Sequence, residues 1–206
     1  MRQLLVIIFL LGVSVVGAQK RVNKNMEAQG VSFVQIDSEN CFKVELSTVA
    51  DKRINVESDM DGEYMQSLLL NVLREGNTVW IGAGFQPNFR DPNDKLSAHK
   101  VVSISLKISI PQYLDVSVSG TNSNVSATGV YDNLKIALTD GTCSLERVGE
   151  NITVSSQSGN IALLTSGAEI QASSKYGKVD REFIPHGDNQ FSLNTITGNI
   201  RIRKTE

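Results

Sequence analysis

The chain has 206 residues, with 20 Lys and Arg against 22 Asp and Glu and a formal net charge of −2. That balance excludes a nucleic-acid partner recruited by a basic surface, and the length allows one or two small domains with a real core. Two histidines and two cysteines leave little material for a His-based triad or a zinc centre.

Residues 1–18 have a basic start at Arg2, an almost wholly apolar run from Leu4 to Val16, and a small-residue end at Gly17-Ala18. This is the grammar of a secretory signal peptide cut after Ala18, and the run is short for a membrane span. No second run of membrane length follows. The expectation is an exported chain of about 188 residues, with no membrane anchor after cleavage and a periplasmic or cell-surface location. Residues 19–30 are polar and read as a disordered lead-in.

Residues 31–111 read as an N-terminal β region. VSFVQID, CFKVELS, KRINVES and NTVWIGA carry period-two alternation or β-rich composition. EYMQSLLLNVLRE fits a helical stripe as well as a strand, but turn signals at Asp61-Gly62 and Glu75-Gly76-Asn77 favour the strand. Residues 85–97 hold Pro87, Pro92 and a cluster of Asp and Asn, the composition of a loop. The stretch that follows it, VVSISLKISIP, is the clearest strand: Val102, Ile104, Leu106, Ile108 and Ile110 share one face, Ser103, Ser105, Lys107 and Ser109 the other. Pro111 ends it, having no N–H for a ladder.

Residues 112–206 carry a repeat. Four segments, opening at Leu134, Ile152, Ile170 and Phe191, alternate apolar and polar residues and reach Gly141, Gly159, Gly177 and Gly198 seven positions later. The glycines are 18, 18 and 21 residues apart, the longer gap holding Pro185-His186-Gly187-Asp188. Cys143, Ile161, Val179 and Ile200 stand two places past each glycine. A fixed period of this size predicts units that bury their apolar faces by stacking on neighbours. The predicted fold is therefore all-β, with a short parallel β-solenoid in the C-terminal half and the N-terminal β region capping or continuing it. Stacking in chain order would put Leu134 and Ile136 under Ile152 and Val154, then Ile170 and Ala172, then Phe191 and Leu193. The glycines are expected at corners that need positive φ or close backbone approach. Cys143 occupies a core slot in this register, which argues against a disulfide with Cys41, although export would permit one.

ISLKISIP at 104–111, LDVSVSG at 114–120, ITVSSQSGNI at 152–161 and LNTITGNIRI at 193–202 together resemble the putative adhesin family of bacterial exported β-helix proteins. The resemblance covers roughly residues 100–206. It implies the architecture and a cell-envelope setting, and it brings no catalytic residues with it.

The candidate chemistry is sparse. Asp94, His99 and Lys100 form the best polar constellation, next to the proline-bearing loop, and a solvated loop is the better account of them. Tyr176, just before Gly177, is a candidate exposed aromatic platform for sugar. Polysaccharide lyases and hydrolases on β-helices need clustered carboxylates. Here the acids do not recur at one repeat position, and no calcium-binding repeat is present. The expectation is thus a non-catalytic, adhesin-like envelope protein without cofactor or metal, displaying a polar face to a polysaccharide or an envelope protein. The alternatives are a polysaccharide-active enzyme and a ligand-free envelope scaffold.

Overall fold

The structure is a computed structural model that describes residues 19–62, 64–89 and 102–205. Its regular elements there are strands, apart from one 3-10 turn at Met65–Ser67. In chain order they are β1 (Lys20–Glu27), β2 (Phe33–Asp37), β3 (Lys43–Val49), β4 (Arg53–Gly62), β5 (Leu68–Glu75), β6 (Thr78–Phe85), β7 (Val102–Pro111), β8 (Asp115–Asn122), β9 (Asn124–Asp140), β10 (Thr142–Ser156), β11 (Asn160–Thr165), β12 (Glu169–Ser174), β13 (Val179–Arg181), β14 (Gln190–Thr195) and β15 (Ile200–Lys204).

The strands form one mixed sheet rolled into a flattened, nearly closed barrel-like shape with two walls. The first wall runs β1-β4-β7-β3-β9-β10-β11-β15-β13. The second runs β5-β6-β2-β8-β9-β10-β14-β12. β9 and β10 belong to both, because each bends midway. Gly129 turns β9 with φ 101°, and β10 bends through register shifts at Arg147 and Glu150, both at positive φ. Pairing is antiparallel for β1–β4, β4–β7 and β5–β6 and parallel in the other ladders.

Alternation decides which side chains fill the space between the walls. Ile104, Leu106, Ile108 and Ile110 of β7 are each no more than 1% exposed, facing Val116 and Val118 of β8 and their neighbours in one continuous core from Ala28 to Ile202. Val125 and Ala127 enter it from one half of β9, Leu134 and Ile136 from the other. Residues 65–75 of the stretch EYMQSLLLNVLRE form the 3-10 turn and β5, with Leu68 and Leu70 buried. Both cysteines are buried and unpaired, so no disulfide forms.

Two expectations are corrected. The lead-in is ordered: residues 20–27 are strand β1, paired over its whole length with β4. Its polar sequence hid this because an edge strand is held by its partner's backbone rather than by its own side chains. The repeat units do pair in parallel and in the expected register, with Ile152 beside Leu134 and Val154 beside Ile136. They do not stack in chain order. Phe191 and Leu193 lie directly on Ile152 and Val154, and Ile170 and Ala172 lie outside them. On the other wall Ile161 pairs with Ile200, and Val179 lies beyond. The fourth unit is therefore inserted between the second and the third, so the arrangement is not a simple coil of successive rungs. The longer gap before it supplies the return path. Pro185 O accepts from Ala168 N (3.0 Å), and Asn189 O from Glu169 N (2.8 Å), as the segment threads back inward.

The glycines mark corners as expected. Gly141 has φ 94°. A Cβ on Gly159 would collide with the carbonyl of Gly141, one on Gly198 with that of Gly159, and one on Gly177 with that of Gly198. The four form a column in the same exchanged order.

Candidate functional site

The outward surface of the second wall is built by the residues that alternate with the core. One row crosses it strand by strand: Leu73, Trp80, Gln35, Ser117, Lys135, Thr153, Ser192 and Gln171. The next carries Gly82, Asp37, Ser119, Ala137, Ser155, Asn194 and Ser173. Short polar side chains on a broad sheet give a flat, hydrogen-bonding surface of low charge. The first wall differs: its middle row alternates Glu57, Lys107 and Glu45 across adjacent strands, and Lys43 pairs with Glu45 at 2.7 Å. Opposite charges satisfied within the sheet leave that wall less free to bind.

Many polar side chains are occupied internally. Asn124 Oδ1 accepts from the amide of Thr142 (3.2 Å), Asn160 Oδ1 from that of Asn199 (2.8 Å), and Asn199 Oδ1 from that of Lys178 (2.9 Å). Before three of the glycines, Ser156, Thr195 and Ser174 accept from the amides of Gly159, Gly198 and Gly177. Thr195 also donates to Gly159 O (3.2 Å), and Ser174 to Gly198 O (2.8 Å), so each hydroxyl staples its own turn to the next. Asn124, Asn160 and Asn199 thus serve as scaffold, each tying its strand to the next.

Trp80, together with the exposed Leu73 opposite it on β5, interrupts the polar second wall. It is 42% exposed and borders a depression of about 430 Å3 lined by Gln35, Asp37, Glu39, Ser119, Gly120 and Thr121. The turn between β2 and β3 forms its rim. Ser38 and Ser123, both fully buried, fix that turn: Ser38 Oγ donates to Ser119 O (3.1 Å), while Ser123 Oγ donates to the carbonyls of Ser38 and Cys41 (2.7 Å each). The amide of Glu39 donates to Asp37 Oδ1 (2.9 Å). Behind the rim, burial, with Asp37 nearby, pushes the Cys41 thiol up to about 12, and burial does the same for Cys143; both thiols are inert core groups rather than nucleophiles.

Of the residues singled out from sequence, Asp94, His99 and Lys100 lie outside the described residues. Tyr176 is 70% exposed, with Lys175 Nζ 5.0 Å from its ring centroid. It stands in the turn two residues past β12, and β12 is six strand spacings from β6 along the sheet, about 29 Å at ordinary sheet spacing, so Tyr176 and Trp80 belong to separate parts of the surface. Sequence reasoning did not single out Trp80. The signal available was its place on the polar-facing parity of NTVWIGA, between Val79 and Ile81, which are buried. Among the described residues no group of three or more His, Cys, Asp and Glu could hold a metal ion, and no helix is long and apolar enough to cross a membrane.

No protein-family model matches the chain, and no curated protein matches it. A solved structure of a putative cell adhesion protein from Clostridium sporogenes is similar over 91% of this chain and 100% of that one, with a TM-score of 0.64 at 14% identity. A putative adhesin from Bacteroides fragilis aligns over 91% of this chain and 99% of its own, at 12% identity and a TM-score of 0.34. One from Parabacteroides distasonis aligns over 91% and 98%, at 12% identity and a TM-score of 0.32. The first of these shows a shared fold. Its description as a putative cell adhesion protein matches the family that the repeat motifs resemble.

Proposed function

We propose that this is a non-catalytic, adhesin-like protein of the bacterial cell envelope, exported by the leader at residues 1–18 to the periplasm or cell surface. In this reading the C-terminal half is a short β-solenoid variant with two of its units exchanged, and the protein works as a rigid display surface. The observation that carries the proposal is the outward face of the second wall. Rows of Ser, Thr, Asn and Gln cross its strands with little net charge, and Trp80 is exposed among them. Such a face contacts an extended polymer through many weak hydrogen bonds without a deep cleft. The fold shared with a protein described as a cell adhesion protein supports the same role. The acids of the repeat, scattered over both walls, favour binding over hydrolysis.

The test uses purified residues 19–206 on immobilised neutral and anionic polysaccharides, recording retention and released oligosaccharide together. Retention without product is the expected result. Product release abolished by His99→Ala would replace the display reading with an enzymatic one. Absence of both would leave a ligand-free scaffold.

A further inference from the structure

We propose that the depression beside Trp80 is a glycan subsite for an uncharged hexopyranose, which lays its apolar ring face on the indole and its hydroxyls on Gln35, Asp37 and Glu39. This rests on the display reading and gives it a location and a substrate class.

Three observations converge. First, the indole is exposed on β6, one strand in from the edge of the second wall, with the exposed Leu73 of β5 on one side and Gln35 of β2 on the other. A large aromatic left in water on a flat strand surface is costly unless something covers it, and the axial C–H face of a pyranose is the polar-surface ligand that matches it. Second, Gly82 follows Trp80 on the same parity, next to Asp37, so no side chain stands on the sheet at that position, and the depression beside the indole has a volume of about 430 Å3, within the usual range for small-ligand sites. Third, the polar groups are ordered in advance. The rim turn is tied down by the buried Ser38 and Ser123, and Asp37 already holds the Glu39 amide, so little ordering cost remains on binding.

The two carboxylates set the specificity. They accept hydrogen bonds from vicinal hydroxyls and repel a uronate or a sulfated sugar. The subsite thus selects neutral glycans from the polymers an envelope protein meets.

Trp80 is the single tryptophan of the chain, so intrinsic tryptophan emission reports this site alone. Titration of residues 19–206 with neutral hexa-oligosaccharides of glucose, mannose and xylose should shift or quench that emission saturably. Hexagalacturonate should leave it unchanged until Asp37→Asn and Glu39→Gln are introduced together. Trp80→Phe should retain the neutral-polymer retention seen on the columns, and Trp80→Ala should lose about tenfold in affinity. Unchanged emission with every neutral oligosaccharide, or equal retention of Trp80→Ala and wild type, overturns the subsite. If the column retention persists in that case, the display reading survives it; if wild type is not retained on any polymer, both fall.

Discussion

At the residue scale, two buried side-chain atoms among the described residues find no partner, Asn55 Oδ1 and Ser58 Oγ. Ser58 is fully buried on β4 opposite Leu106 and Val22, and its hydroxyl has no hydrogen bond. A desolvated hydroxyl without a partner costs about 1–3 kcal/mol. Ser58→Ala should therefore raise stability by about 1 kcal/mol, read as a higher urea midpoint at unchanged slope; an equal loss would show that the hydroxyl is bonded. The buried thiols predict the alkaline limit. Cys41 and Cys143 titrate near 9.0 when exposed and are pushed to about 12 in the fold, so the native state holds its thiol protons more tightly than the unfolded chain. Their contribution is complete below pH 9 and is lost as pH rises from there toward 12. Thermal scans should show a melting temperature that falls across this window, and falls less steeply in Cys143→Ala than in wild type.

At the scale of the element, the repeat units carry both the fold's regularity and its departure from it. Gly159 is wedged between the Gly141 carbonyl and the Ser156 hydroxyl. Gly159→Ala should cost about 2–3 kcal/mol, since backbone rather than a flexible side chain must give way, whereas Gly76→Ala, which meets no neighbour but takes φ 61°, should cost less. The exchange of the third and fourth units follows from their content. The inward residues of the fourth are Phe191, Leu193, Ile200 and Ile202, all 2% exposed or less, while those of the third include Ala172, Ser174 and the exposed Val179. The more apolar unit takes the doubly covered place, and the less apolar one takes the edge. Leu193→Ala should accordingly cost about 2–5 kcal/mol. Hydrogen exchange should find β12 and β13 opening before β14 and β15; the reverse order would contradict the stacking.

For the whole molecule, one core spans both the N-terminal strands and the repeats. Far-ultraviolet circular dichroism, which samples the whole backbone, and Trp80 emission, which samples the N-terminal strands alone, should report coincident urea transitions; separated midpoints would mean two cooperative units. Basic side chains bridge the open seam at both ends. Lys20 Nζ donates to Leu68 O (2.7 Å) between β1 and β5, and Arg181 Nη1 to Ile170 O (3.1 Å) between β13 and β12. Charged edge residues of this kind also discourage strand addition by other chains.

The sequence by itself determined the all-β class, the face each strand of the repeat turns inward, and the glycine corners, because alternation and chirality act within a few residues. Ile104 to Ile110, and Cys143, Ile161 and Ile200 of the column past the glycines, could be assigned to the core from parity alone, while Val179 of that column is exposed at the sheet edge. Tertiary structure decided what parity cannot encode. Four units with the same grammar are interchangeable as partners, so their order depended on which one gains most from being covered on two sides. Strand β1 required a neighbour's backbone to exist as a strand. Trp80 became a candidate site only when distant segments, β2 with its following turn and β8, closed around it, since a pocket is a property of chains brought together and not of any stretch read alone.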